Sequence, residues 1–386
     1  MHIGISALNF SPGEMGGQET YFRNLVHHLQ RVDRENSYAL LCDARKVREF
    51  PLSNDSFRVT LCNYDKPSLN WLIRGMLKKM IHLDLVNLRL KGLKLDVIHH
   101  PFTVLNPQWS QIPSVLTFLD MQQEYFPQFF SKLELAIRKQ ISRPSAEKAT
   151  RIIAISRHVK DCLVEKYGID AGKIDVIYPG CGAEFRVIDD AVGLAELKLR
   201  YGLERPFAYY PAASWPHKNH KTLLAAWKIL QERRGFDGQL VLTGIAKQAH
   251  GEIQGEVGRL GLDATVKVLG YLPSDELPYL YNLARLMVFP SLFEGFGIPL
   301  VEAMACGCPL VCSTATSVPE VAGDAGIQFD PLSPEDMADK LWMVWNDEGA
   351  REQLRVKGLQ RVKLFDWENT ARKTLEVYQK AAGGAR

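Results

Sequence analysis

Short β-branched runs alternate with amphipathic stretches along the first half of the chain. His2–Ala7 reads as a strand, and Thr20–Arg31 as a helix with apolar residues at Tyr21, Leu25, Val26 and Leu29. Tyr38–Cys42, Arg58–Cys62, Asp96–His99, Ser114–Phe118, Arg151–Ile155 and Lys173–Tyr178 read as further strands. Helical patterns lie between most of them. Such alternation argues for a parallel sheet covered by helices on both faces.

The pattern then restarts. Phe207–Tyr210, Gln239–Thr243, Val266–Leu269, Leu286–Phe289 and Pro309–Cys312 read as strands. His220–Arg233, Ile253–Leu260, Ser274–Ala284 and Pro299–Cys306 read as helices between them. The stretch 180–205, containing glycines and charges, separates the two series. This predicts an α/β protein of two Rossmann-like domains, 1–184 and 185–365. The segment Asp366–Ala382 has a helical pattern and needs a surface to pack on, and 366–386 is assigned to the first domain.

Composition narrows this reading. At 386 residues the chain exceeds one ordinary core and fits two domains of about 150–200 residues. Apolar residues form 46% and charged residues 24%, a balance that supports globular cores rather than disorder. No apolar run approaches the roughly 18 residues of a membrane span, and Met1–Ser6 reads as a strand, not a leader. The seven cysteines lack metal-ligand spacing, and Cys306-Gly307-Cys308 reads as a tight turn of small residues. Reduced thiols in a cytoplasmic setting are expected. Residues 1–184 hold 24 Lys and Arg against 19 Asp and Glu, and the remainder 23 against 25. That excess is too mild for a nucleic-acid binder.

Three segments carry candidate chemistry. Ser11–Glu19 follows the first strand, and its Gly16-Gly17 pair opens a helix whose N-terminal N–H groups suit an anion such as a diphosphate. It is not Gly-x-Gly-x-x-Gly, and no ribose-binding acid follows at the dinucleotide spacing, which disfavours NAD. Pro216–Lys221 follows Phe207–Tyr210, where a lysine at a strand's carboxyl end can neutralise a leaving phosphate. Phe289–Pro309 runs from a strand through a glycine loop into a helix. It carries Glu294 before that helix and Glu302 inside it, both suited to vicinal hydroxyls.

The run Ser-x-x-Glu-Gly-Phe-Gly-x-Pro-x-x-Glu-Ala-Met-Ala-x-Gly-x-Pro, containing Glu294 and Glu302, resembles the signature of the retaining GT-B glycosyltransferases of family 4. Gly16–Glu19, Ile155–Arg157, Tyr178–Gly180, His217–His220, Gly270–Leu272, Leu280-Tyr281 and Val318–Gly326 are similar in the same order. The resemblance implies a GT-B fold, with an acceptor domain and a nucleotide-sugar domain facing each other across a donor cleft. It implies Glu302 on the ribose hydroxyls, Glu294 on the transferred sugar and Lys218 on the diphosphate. Phe296, Gly297 and Ile298 would give backbone contacts, and Gly16 and Gly17 would close over the diphosphate. Gly270, Tyr271 and Leu272 would lie against the base, with Thr243 and Gly244 nearby. The C-terminal helix would cross back to the first domain.

Two positions depart from the pattern. Many relatives carry His-Asp after the strand matching Ser114–Phe118, and here Leu119 replaces the His while Asp120 matches. His99 or His100 could fill that space, or be structural. An arginine usual before the phosphate lysine is absent from Pro211–Trp215, so His217, His220 or another cation would share the charge. The implied reaction retains anomeric configuration, with a two-carboxylate displacement as the competing scheme. No Asp-x-Asp occurs, so no metal is expected. A GDP-mannose donor is preferred over UDP-hexoses, with a saccharide or lipid-linked acceptor. Residues 71–95 read either as a basic amphipathic stretch on an anionic bilayer, at the inner face of the membrane, or as a core-facing helix with a solvated basic side. A sugar-nucleotide epimerase, a phosphorylase and a non-catalytic sugar-nucleotide sensor are the other readings.

Overall fold

The computed structural model describes residues 1–62, 69–81, 84–108, 110–233 and 235–383. The chain forms two compact units: residues 1–179 with 367–386, and residues 180–366. The division falls five residues before the expected 184/185 boundary, at the Pro179-Gly180 junction.

Among the described residues, unit 1 is built on seven strands: β1 (His2–Ser6), β2 (Ser37–Cys42), β3 (Phe57–Leu61), β4 (Val97–His100), β5 (Ser114–Phe118), β6 (Arg151–Ala154) and β7 (Ile174–Val176). They form one sheet in the order β3-β2-β1-β4-β5-β6-β7. Every pairing is parallel, as in Ile3 beside Tyr38 on one side and Val97 on the other. Central strands are covered on both faces, which is why β1, β4 and β5 read as short, nearly continuous apolar runs. The first helix begins at Gly17, three residues earlier than its apolar periodicity suggests, with Gly16 as its N-cap.

Helix Trp367–Gly383 completes this unit. Its buried residues Trp367, Thr370, Ala371, Thr374, Val377, Tyr378 and Ala381 recur every three or four positions, giving one inward stripe. The stripe lies on helix Gly17–Val32 and on β4, β5 and β6. Thr370 Oγ1 donates to the Tyr178 carbonyl at 2.6 Å, and Lys380 pairs with Asp175 at 2.8 Å.

Unit 2 repeats the plan with β8 (Phe207–Pro211), β9 (Gln239–Thr243), β10 (Val266–Gly270), β11 (Leu286–Phe289), β12 (Leu310–Ser313) and β13 (Gly326–Phe329). Their order is β10-β9-β8-β11-β12-β13, again parallel throughout. The stretch 180–205 is more than a connector, since it contains helix Ala191–Arg200 capped by the Asp190 carboxylate. All seven cysteines are free thiols, and Cys306 and Cys308 are buried at the turn after helix Ile298–Ala305.

Candidate active site

Strand order fixes where a site can form in unit 2. From β8 the chain winds outward through β9 and β10, and from β11 it winds the other way. At such a switch point the loops leaving the two central strands diverge and open a crevice at their carboxyl ends. Those loops carry Lys218, after β8, and Glu294, after β11.

The backbone around Lys218 is locked before its side chain is considered. Pro216–Lys218 form a single 3-10 turn, and Asn219, in the left-handed region at φ 61°, starts helix His220–Gln231. Asn219 Nδ2 donates to the carbonyls of Pro290 (3.0 Å) and Pro331 (2.7 Å), tying together the loops after β8, β11 and β13. Tyr210 donates its hydroxyl to the Lys218 carbonyl (2.8 Å), and Leu292 N–H donates to the His217 carbonyl (2.8 Å). Lys218 Nζ then meets Glu294 Oε1 at 2.6 Å, with the two side chains only 17% and 12% exposed.

The Glu294 loop is held from the segment after β12. Glu294 N–H donates to Thr316 Oγ1 at 3.0 Å, and Ser317 Oγ is shared between the carbonyls of Glu294 (3.0 Å) and Phe296 (3.1 Å). Ser313 Oγ donates to the Ser291 carbonyl at 2.8 Å. Thr316 adopts φ 54°, a left-handed conformation rare for a β-branched residue. Gly297, at φ 99°, then caps helix Ile298–Ala305, with Pro299 in its first turn. Phe296 is buried against Phe365, and Ile298 is half-buried at the first helical position.

One turn into that helix, Glu302 Oε2 accepts the Tyr281 hydroxyl at 2.8 Å. Burial pushes the Glu302 carboxyl up to about 7. The Tyr281 hydrogen bond opposes the rise, and the Glu184 carboxylate adds to it. Thr243 and Gly244 lie at the end of β9 and help line a small pocket with Ala212, Ser214, His220 and Gly270. Thr243 Oγ1 is already engaged with the Tyr209 hydroxyl at 2.8 Å. Gly244 N–H donates to the Gly270 carbonyl (2.7 Å), and a Cβ on Gly244 would sit 2.4 Å from the Ala212 carbonyl oxygen. Tyr271 is 70% exposed, while Leu272 is buried.

The two histidines beside Lys218 are not cations. Burial, with Lys218 nearby, holds His217 down to about 2 and His220 to about 4, so both are neutral near pH 7. Adding positive charge at either imidazole, beside a lysine in a desolvated loop, is unfavourable.

Gly16, Gly17 and Asp120 belong to unit 1. The glycine loop is braced by Glu19, which accepts Gly13 N–H (2.7 Å) on one oxygen and Arg23 Nε (2.8 Å) on the other. Asp120 is half-buried just beyond β5, and its Oδ1 faces the Gln122 N–H at 3.4 Å. Leu119 is buried, so its side chain belongs to the core. His99 does not replace a catalytic histidine. Its Nδ1 lies 2.7 Å from the Tyr378 hydroxyl, its Nε2 lies 2.8 Å from Thr117 Oγ1, and burial holds it near 3. His100 is likewise buried, with Nδ1 accepting the Asn106 N–H. Among the described residues no three His, Cys, Asp or Glu side chains gather as a metal-ligand set.

The sequence pattern singled out Lys218, Glu294 and Glu302, and the structure brings Lys218 and Glu294 into contact. It missed Thr316, Ser317 and Asn219 as the groups that hold them. The hydroxyl-rich run Ser313–Ser317 directly after a strand was the available signal.

A profile described as glycosyl transferases group 1 matches residues 198–361, and one described as Glycosyltransferase Family 4 matches residues 15–185. The chain is 30% identical over 266 residues to O-antigen chain mannosyltransferase B of Escherichia coli, covering 69% of this chain and 70% of that protein. It is 34% identical over 238 residues to the serotype-specific mannosyltransferase WbdA of Escherichia coli, covering 60% of this chain but only 29% of that longer protein. The solved structure of Anabaena Alr3699/HepE in complex with UDP and glucose shares the fold at TM-score 0.75 and 20% identity, covering 98% of this chain and 99% of that one. The chain belongs to the group 1, family 4 glycosyltransferases of GT-B fold, and it is a glycosyltransferase.

Proposed function

We propose that this enzyme transfers mannose, with retention of anomeric configuration, from GDP-mannose to a saccharide or lipid-linked acceptor on the cytoplasmic side of a membrane. The observation that carries a nucleoside diphosphate sugar donor is the Lys218–Glu294 pair at the switch point, with Glu302 one helical turn beyond it. In this reading the Lys218 ammonium and the N–H groups opening helices His220–Gln231 and Ile298–Ala305 stabilise charge on the β-phosphate as the C1–O bond breaks. The leaving phosphate oxygen takes the acceptor proton on the same face of the sugar. Glu294 holds sugar hydroxyls and Glu302 the ribose hydroxyls. Lys218 supplies the charge that a metal would otherwise supply, so transfer is expected to survive EDTA.

Mannose is supported by similarity to the two Escherichia coli mannosyltransferases. A UDP-hexose donor is the second reading, favoured by the Anabaena structure that holds UDP and glucose. Thermal-shift titration against GDP, UDP, ADP and dTDP sugars separates them. GDP-mannose is expected to raise the melting temperature and to be consumed with acceptor, with both transfer and donor hydrolysis abolished in Glu294→Ala. A shift with UDP-glucose and none with GDP-mannose would sink the mannose assignment.

A further inference from the structure

In unit 1, helix Leu69–Ile81 turns its apolar side to solvent. Leu72 is 54% exposed, Ile73 39%, Met76 61% and Met80 73%. At 100° per residue these four fall within an arc of about 100°, the width of the stripe that normally faces a core. On the far side of the helix the charged Arg74 turns inward instead. Arg74 forks onto Asp84 with Nε at 2.7 Å and Nη2 at 2.8 Å, and Nη2 also reaches Asn106 Oδ1. Arg74 is 12% and Asp84 3% exposed. The helix is therefore pinned to its unit by a nearly buried bidentate ion pair, with its apolar stripe facing outward. The core-facing reading of 71–95 holds instead for helix Leu85–Lys91, which buries Val86 and Leu90 in the core of the unit. The side chains of Trp71, Lys78, Lys79 and Ile81, and residues 82–83, lie outside the described residues.

Charge selects the occupant of that face. Across 69–95 the sequence carries six basic residues, Arg74, Lys78, Lys79, Arg89, Lys91 and Lys94, and one acid, Asp84, which Arg74 neutralises. Arg89, Lys91 and Lys94 are exposed, and Leu88 beside them is 53% exposed. The surface thus joins a strip of large apolar side chains to uncompensated positive charge. Anionic head groups over an apolar interior match both properties together.

We propose that helix Leu69–Ile81 seats this protein on an anionic lipid bilayer. Leu72, Ile73, Met76 and Met80 enter the acyl boundary, and Arg89, Lys91 and Lys94 engage the head groups. Among the described residues no helix is long and apolar enough to cross a membrane, so the attachment is interfacial. It does not depend on which nucleotide sugar is used.

Flotation of the full chain with phosphatidylglycerol–phosphatidylethanolamine vesicles, and with phosphatidylcholine vesicles, tests the proposal. Binding is expected on the first, little on the second, and less as salt is raised. The pair Met76→Asp with Met80→Asp is expected to lower partitioning roughly tenfold or more by removing apolar anchorage. The pair Arg89→Glu with Lys91→Glu is expected to lower it about a hundredfold at low salt. Melting temperature and lipid-free donor hydrolysis should be unchanged in both, which separates lost docking from lost folding and leaves the donor assignment untouched. Equal binding to both vesicle types, no binding to either, or undiminished binding by both variants would overturn it. So would a dimer in solution that Met80→Asp dissociates, because the face would then belong to a second copy.

Discussion

Donor binding should respond to pH through Glu302, and the structure sets both midpoint and sign. Burial raises this carboxyl to about 7, so at pH 8 about nine in ten molecules carry its charge and at pH 6 about one in ten. If the ribose hydroxyls donate to the carboxylate, affinity should fall about tenfold from pH 8 to pH 6. The neighbouring histidines do not confuse the measurement, since His217 and His220 stay neutral throughout. Tyr281 and Cys306, both pushed upward by burial, also stay neutral. Calorimetric titration should use the intact nucleotide sugar, because the terminal phosphate of a free diphosphate itself titrates near pH ~6. Glu302→Gln should bind weakly and without this pH dependence. Stability carries the opposite sign. A folded value raised from 4.5 to about 7 costs nothing below pH 4.5 and its full amount, about 3 kcal/mol, above pH 7. The advantage of Glu302→Gln in urea unfolding should therefore be about 2–3 kcal/mol larger at pH 8 than at pH 5. Donor affinity that is flat from pH 6 to 8 in the native chain, or still pH-dependent in Glu302→Gln, would refute the assignment.

Substitutions at the ion pair and at Thr316 supply two further tests. Lys218→Met or Glu294→Gln alone should lower kcat by about 10²–10³. Each should also destabilise by about 2–4 kcal/mol, because a mostly buried partner is left uncompensated. The double variant should recover stability in urea unfolding without recovering transfer. Thr316→Gly relieves a left-handed β-branched residue but removes the acceptor for Glu294 N–H. It should lower kcat about tenfold with KM and melting temperature little changed. Thr316→Ser should restore kcat, and an effect on KM alone would argue that the hydroxyl does not position Glu294.

Much of the fold could be read before any coordinates, for a physical reason. Central parallel strands are buried on both faces, so Ser114–Phe118 and Gln239–Thr243 stand out as continuous runs and begin and end where expected. Helix Ala191–Arg200 did not stand out because it buries only Leu197, leaving Val192 and Leu199 69% and 76% exposed. Edge strand β13 buries only Phe329 and gives an equally weak pattern. At the site, Lys218 and Glu294 were legible because each follows a recognisable strand. Thr316 and Ser317 were not, because their partners are backbone groups 21 to 23 residues away, a relation with no local spacing. The charge state of the two histidines was hidden for a related reason: sequence shows imidazoles beside a lysine, but only the fold shows the burial that lowers their pKa.

The charge balance at the switch point bears on how donor recognition is coupled to chemistry. Lys218 is matched by Glu294 at 2.6 Å, and His217 and His220 carry no charge. The crevice therefore offers a diphosphate no net positive side-chain charge from these four groups. A bare diphosphate must compete with Glu294 for the ammonium and leaves a mostly buried carboxylate unpaired if it wins, an unfavourable exchange. In the proposed complex an intact nucleotide sugar brings hydroxyls that donate to Glu294 as the phosphate takes Lys218, so both partners stay satisfied. Sugar recognition then releases the cation that the leaving group needs, and Thr316 and Ser317 keep Glu294 where that exchange can occur. The absent arginine fits this arrangement, because a second fixed cation would bind the diphosphate whether or not a sugar accompanied it.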